Sequence, residues 1–338
     1  MNIVALAGGV GGAKLAHGLT LCHSERSEES PSASNEIPRR SAARNDTLTV
    51  IVNTGDDFEW NGLHISPDLD TVTYTLAGLA NPDTGWGVAG DTFECLNTMQ
   101  RLGVEPWFKI GDRDLATHLR RTELLRQGKT LTEATAIITR ALGIEATTIV
   151  PMTDDRFRTI VETDQGELEF QEYFVHRQWQ PMIKRIRFDG AESARATPQV
   201  LDAIKQADAV IIAPSNPFVS VDPILTLIPS PPKAPRSLRG EGEGRMPIIA
   251  VSPIVGGQAI KGPAAKMFRE LGIEPSALAV AQHYRGLITH FILDRLDADQ
   301  ENAIQLLKTQ TLVTNTLMQS VDDRARLARE VIEFIQTS

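Results

Sequence analysis

The chain is poor in cysteine. Cys22 and Cys95 are the only two, too few for a disulfide framework or a zinc site. It also lacks a surplus of positive charge: 34 Lys and Arg stand against 43 Asp and Glu, a net charge of −9. A nucleic-acid binder needs the opposite balance to displace counterions, so that class is excluded. No run approaches the roughly 18 apolar residues of a membrane-spanning helix. The opening Met-Asn-Ile-Val-Ala-Leu-Ala-Gly-Gly carries no basic segment and turns glycine-rich too early for a signal peptide, so a cytoplasmic protein is expected. What is present is ordinary globular usage, 41% apolar and 23% charged over 338 residues. That length suits one large α/β domain or two smaller ones.

Asn2 to Ala7, apolar after its first residue and bounded by glycines, reads as a parallel strand buried on both faces. Gly8-Gly9-Val10-Gly11-Gly12 turns the chain, Ala13 to Leu21 has helical character, and Thr47 to Asn53 is a second, β-branched strand. Strand, glycine turn, helix and strand make a βαβ unit and predict a Rossmann-like, doubly wound parallel sheet. Ala209–Ala213, Ile248–Val251 and Ala277–Ala281 read as further strands of it. One domain over 1–338 is expected, with a helix-rich and hairpin subdomain at 92–190. There, Asp91, Asp114 and Thr130 or Thr132 stand as helix caps, and Thr159–Thr163 pairs with Glu167–Val175. The tail, 299–336, reads as helical. Residues 22–46 and 229–246 hold too little apolar surface to offset ordering entropy and are expected to be disordered surface insertions.

The glycine loop lies between strand and helix, where backbone N–H groups and the helix N-terminus favour a phosphate. It matches neither standard fingerprint: Ala13 stands where a P-loop has glycine, and Lys14 where a dinucleotide fold has it. Asp56 and Asp57 follow the second strand at its C-terminal end, the ligand side of an open α/β sheet. Asp68 and Asp70 come next, before an apolar helix over Val72–Leu79 that either could cap. Four aspartates beside a phosphate repel it and one another unless a divalent cation intervenes. Mg²⁺ on Asp56, Asp57 or Asp68 is therefore expected. Lys109-Ile-Gly111-Asp112-Arg113-Asp114 suits an anion or polyol pocket, or else an exposed charge network at a helix start. The loops Pro214-Ser215-Asn216-Pro217 and Val251-Ser252-Pro253, with Lys261 and Lys266, suit a nucleoside and its phosphates.

In this order the motifs resemble the 2-phospho-L-lactate transferases of coenzyme F420 biosynthesis. The likeness runs through Gly8 to Lys14, Val52-Asn53-Thr54, Ser66 to Thr71, Trp86-Gly87 and Lys109 to Asp114. It continues through Pro151-Met152-Thr153-Asp154-Asp155, Phe170-Gln171-Glu172-Tyr173, Pro214 to Pro217, Val251 to Ile254 and Lys261-Gly262-Pro263. The resemblance implies a Mg²⁺-dependent reaction. In it, the ribityl hydroxyl of 7,8-didemethyl-8-hydroxy-5-deazariboflavin (FO) attacks a guanosine diphosphate-linked lactate or enolpyruvate, and GMP leaves. It also implies deazaflavin contacts at Asp70 and Lys109, and a homodimer. The expected catalytic set is thus Asp70, Asp68 and Lys109. Substrate contacts are expected from Gly8, Gly9, Gly11, Gly12, Lys14, Asn53, Asp112, Arg113, Ser215, Asn216, Ser252 and Lys261. Two rival readings stand beside it. One is a non-catalytic nucleotide-sugar-binding regulator of related fold. The other is an NAD-dependent oxidoreductase, against which Asn53 stands where the ribose-binding acid belongs.

Overall fold

Asn2 to Ala7 form β1, and their alternate side chains feed two different cores. Ile3, Ala5 and Ala7 pack on one face of the sheet, Val4 and Leu6 on the other. A strand sandwiched in this way has no polar side, which is why its sequence is a continuous apolar run. The computed structural model describes residues 1–28, 47–228 and 246–337. In chain order, β1 leads into α1 (Gly9–Glu28), β2 (Thr47–Val52), the short hairpin β3 (Phe58–Trp60) and β4 (Leu63–Ile65), and α2 (Pro67–Leu76). Then come α3 (Glu94–Arg101), α4 (Asp112–Arg126), α5 (Leu131–Ala141), β5 (Thr148–Pro151), β6 (Arg158–Thr163), β7 (Gly166–Glu169) and β8 (Ile183–Asp189). The second half holds α6 (Pro198–Gln206), β9 (Ala209–Ile212), α7 (Asp222–Leu227), β10 (Ile248–Val251), β11 (Ile254–Val255), β12 (Gln258–Ala259) and α8 (Ala264–Glu270). It ends with α9 (Ala277–His283), β13 (His290–Asp294), α10 (Glu301–Gln305), β14 (Gln310–Thr314) and α11 (Val321–Gln336).

Seven strands form one parallel sheet in the order β14-β13-β10-β9-β1-β2-β5. The expected doubly wound fold is therefore present. The order reverses between β1 and β9, and in such sheets the crevice outside the strands' carboxyl ends at this point receives the ligand. Helices α1 and α11 cover one face through Leu15, Leu19, Leu327 and Val331; α8, α9 and the β6-β8 layer cover the other through Phe268, Val280 and Val161. Residues 92–190 hold α3 to α5 and the antiparallel sheet β7-β6-β8, but also β5, an edge strand of the main sheet.

Several local expectations need correction. Ala277–Ala281 is helical: Ser276 caps α9 by accepting from Ala279 N, and the alanine-rich run lacks the β-branching of a strand. The sixth strand is His290–Asp294 instead. The tail is not uniformly helical, because Gln310-Thr-Leu-Val-Thr forms β14, the seventh strand. Strand β7 stops at Glu169, and Glu172–His176 curls into a wide helical turn. Helix α2 begins at Pro67, so Asp68 and Asp70 lie inside its first turns and do not cap it. Thr130 does cap α5, with Glu133 completing a capping box. Residues 22–28 continue α1; the rest of the expected insertion at 22–46, and 229–245 of the other, lie outside the described residues.

Candidate active site

Gly9 opens α1 with a positive φ of 61°, a conformation glycine adopts without steric cost. Gly11 lies so close to the loop after β9 that a Cβ there would stand 2.2 Å from the Pro214 carbonyl oxygen. Ser215 clasps the same turn, accepting from Gly8 N at 3.2 Å and donating to the Gly8 carbonyl at 2.8 Å. The glycines thus let the carboxyl ends of β1 and β9 close on each other at the switch point. Directly outside them opens a cavity of about 740 Å³.

One wall is acidic and buried. Asp68 Oδ1 accepts from Gly9 N at 2.7 Å, so the first amide of α1 already faces a carboxylate; Oδ2 accepts from Asn53 Nδ2 at 2.9 Å. Burial pushes the Asp68 carboxyl up to about 6, against the hydrogen bonds from Asn53 and Gly9. Asp56 beside it is also buried, and its Oδ1 has no hydrogen-bond partner. Burial raises its carboxyl well above the usual range, and the charge of Asp68 raises it further. Two carboxylates that both resist ionisation, one with an orphaned oxygen, suit a divalent cation. Asp57 does not line the cavity; its Oδ2 accepts from Ser66 Oγ at 2.7 Å and lies 3.1 Å from His64 Nε2, while its buried Oδ1, like that of Asp56, has no hydrogen-bond partner.

A second acidic group lies deeper. Asp70 meets the buried Arg121 through both carboxylate oxygens, one bond at 3.1 Å and the other from NH2 to Oδ1. His118 Nδ1 is 3.6 Å from Asp70 Oδ2, and its Nε2 is 3.2 Å from Asp114 Oδ1, poorly aligned for a hydrogen bond. Tyr74 donates to the same Asp114 oxygen at 2.7 Å. Burial works to raise the Asp114 carboxyl, but the His118 ring, Tyr74 and Arg121 together hold it below the usual range. Among the described residues, Asp70, Asp114 and His118 alone bring three potential metal ligands within 4.8 Å of one another. Asp56, Asp57 and Asp68 do not. Both oxygens of Asp70 are nevertheless already bound to a guanidinium.

Positive charge lines the same cavity. Lys14 lines the cavity with Nζ on the Met318 carbonyl at 2.7 Å; burial lowers its basicity, and Arg324 and Lys261 lower it further. Lys261 donates to the Thr84 carbonyl at 2.8 Å and so straps the Trp86 loop across the glycine turn. The remaining wall is aromatic. Trp86, Trp107, Phe108, Phe170 and Phe174 line it, with Phe170 and Phe174 stacked at 5.4 Å and 7°. Lys109 sits on this side, exposed.

Of the expected site residues, Gly8, Gly9, Gly11, Lys14, Asp56, Asp68, Asp70, Lys109, Ser215, Asn216, Ser252 and Lys261 line the cavity. Gly12, Asn53, Asp57, Asp112 and Arg113 do not. Gly12 packs on Ser215 and Ala7, and Asn53 orients Asp68 from behind. Asp112 accepts from Glu94 N and Cys95 N, so it caps α3, while Asp91 accepts from Arg113 N and Asp114 N and caps α4. The hydrogen bond from Thr92 and those of α3 hold the Asp112 carboxyl low. The two helix starts thus exchange caps, and Arg113 is left exposed with NH1 on the Ala89 carbonyl. Ser252 bonds within its own loop and Asn216 caps the turn at Pro217, so both shape the wall more than they reach into it. The reading of the sequence missed Arg121, Tyr74 and the aromatic wall. Asp114, His118 and Arg121 repeat at i, i+4 and i+7, one face of α4, and that spacing was the available signal.

A parallel sheet whose reversal point holds a cavity with a helix N-terminus, buried carboxylates and lysines defines a Rossmann-like α/β protein built around a small-molecule site. The chain belongs to the family of the 2-phospho-L-lactate transferase CofD, whose model matches residues 3–337. It is therefore a member of a transferase family. It is 41% identical to a 2-phospho-L-lactate transferase of Methanopyrus kandleri, over 86% of this chain and 90% of that one. It is 37% identical to a phosphoenolpyruvate transferase of Streptomyces griseus, over 99% of each. A solved structure from Bacillus halodurans, of the UPF0052 family, has the same fold at a TM-score of 0.56. It is 13% identical and covers 98% of each chain.

Proposed function

We propose that the cavity binds a guanosine diphosphate-linked phospho-acid and the deazaflavin FO, and transfers the phospho-acid from the first to the second. The ribityl hydroxyl oxygen forms a bond to the phosphorus that carries the lactate or enolpyruvate. The bond from that phosphorus to the bridging oxygen breaks, GMP leaves with the electron pair, and the hydroxyl proton passes to a carboxylate or to water. The observation that carries this reading is one cavity lined by aromatic rings, lysines and a buried acid pair at the switch point.

Such a transfer asks for positioning and charge neutralisation more than covalent chemistry. Lys14 and Lys261 offset diphosphate charge, together with the free amides of the first turn of α1. Trp86, Trp107, Phe170 and Phe174 offer faces for a planar tricycle, with Lys109 at its edge. Asp70 orients the hydroxyl. Asp56 and Asp68 would hold Mg²⁺, which when bound neutralises charge on the phosphate oxygens. The test is incubation with FO, the guanylylated lactate, enolpyruvate or glycerate phospho-acid, and Mg²⁺, read by mass spectrometry. Formation of the FO phosphodiester with release of GMP supports the reading; nucleotide-sugar binding without turnover refutes it.

A further inference from the structure

Asp70 is the cavity carboxylate with the most elaborate support, and the side chains nearest its carboxylate come from another helix. Arg121 and His118 both rise from α4 and are 3% and 1% exposed. The guanidinium takes both Asp70 oxygens in a fork, a geometry that fixes the carboxylate plane as a single ammonium would not. Arg121 can only donate, and its NH1 lies 3.3 Å from His118 Nδ1. Nδ1 therefore accepts, and the ring proton sits on Nε2, facing Asp114. Tyr74, one turn along α2 from Asp70, anchors Asp114 in turn.

A buried ion pair adds little net stability, because desolvation consumes the Coulombic gain. A five-residue polar network between two helices is therefore poorly explained as a brace. We propose that Arg121 is a positioning residue that holds the Asp70 carboxylate at one angle toward the cavity, with His118 accepting from the guanidinium and so fixing it, and Asp114, anchored by Tyr74, packed beyond His118. This rests on the function proposed above for Asp70, but it makes a claim about geometry that can be read without turnover.

Arg121→Lys keeps the charge and loses the fork. In its crystal structure the Asp70 carboxylate should rotate or shift by about 1 Å or more relative to wild type. In the transfer assay kcat should fall at least tenfold, on the order expected for a lost orienting interaction, with the donor KM changed less than about threefold. Tyr74→Phe, which removes one hydroxyl and is the variant to rely on if Arg121→Lys does not fold, should lower kcat about two- to fivefold with Tm nearly unchanged. A mere brace would lower Tm and leave the kcat of the folded enzyme intact. An Asp70 carboxylate unmoved in the variant crystals, or kcat within twofold of wild type in both, overturns the proposal. If wild type itself makes no product, the function reading fails, and the position of Asp70 in the crystals still decides this one.

Discussion

Asp68→Asn should make the metal-free protein more stable at neutral pH and less stable in acid. Asp68 ordinarily ionises near 3.8, and burial raises it to about 6 in the fold. At about 1.4 kcal/mol per tenfold, holding its charge at pH 7 costs roughly 3 kcal/mol relative to the unfolded chain. A carboxyl raised by folding contributes its stability fully below pH 3.8 and loses it as pH climbs through 6. Asparagine has no charge to bury, but one of the two donors, Gly9 N or Asn53 Nδ2, must then face an NH₂ group. That lost acceptor costs about 1–2 kcal/mol at every pH. The net is a gain of roughly 1–2 kcal/mol near pH 7.5 that turns into a loss of up to about 1 kcal/mol near pH 4.5 and of about 1–2 kcal/mol near pH 3. Thermal melts in chelator read it, at about 1–2 °C per kcal/mol for a chain of this length. Magnesium at a hundredfold its Kd adds about 2.7 kcal/mol to wild type and nothing to the variant, which closes or reverses the gap at neutral pH. A variant less stable at all three pH values, or a difference that does not change with pH, refutes the assignment of Asp68 as a strained buried acid.

Gly11→Ala drives a methyl against the Pro214 carbonyl. It should cost about 1–3 kcal/mol or more and abolish substrate binding, checked by melts and by equilibrium binding of the guanosine nucleotide. Asp70→Asn should cut turnover by well over tenfold. It also strands the buried Arg121 charge, so a loss of about 3–5 kcal/mol should accompany it in denaturant unfolding. Unchanged kinetics would remove Asp70 from the reaction. Replacing residues 30–45 with a short Gly-Ser linker should leave kcat/KM within about threefold, since their composition offers no apolar surface for a site; a large loss would make that segment part of the enzyme.

The parts of this molecule that announce themselves in sequence are those governed by local rules. Asn2–Ala7 and Ile248–Val251 read as strands because both faces are buried, and Thr130 and Glu133 declare a helix start by a reciprocal pair of hydrogen bonds. Ala277–Ala281 misled because a short apolar run fits a buried helix as well as a strand. The site divides the same way. Residues that follow strand ends, such as Asp56, Ser215 and Ser252, were legible because the topology of an open sheet puts strand ends together. Asp112 was misplaced because its role depends on α3, whose start lies close in space but 18 positions earlier for its bond with Glu94. Arg121 was hidden because its partner is 51 residues away.

The two acidic groups of the cavity are built on opposite electrostatics, and that contrast supports the separate roles proposed for them. Asp70 comes with its own cation: Arg121 is folded into the core beside it, so its charge is settled before any ligand arrives. Asp56 and Asp68 have no such cation: burial raises both, the charge of Asp68 raises Asp56 further, that of Asp57 raises Asp68, and the hydrogen bonds to them offset this only in part. A pair left uncompensated in the core weakens the fold unless something positive from outside completes it. The strain at Asp56 and Asp68, which a single asparagine at 68 would relieve, is therefore what supports the Mg²⁺ site proposed there. The Arg121 fork occupies both Asp70 oxygens, which supports the proposed division in which Asp70 orients the acceptor and is not a metal ligand.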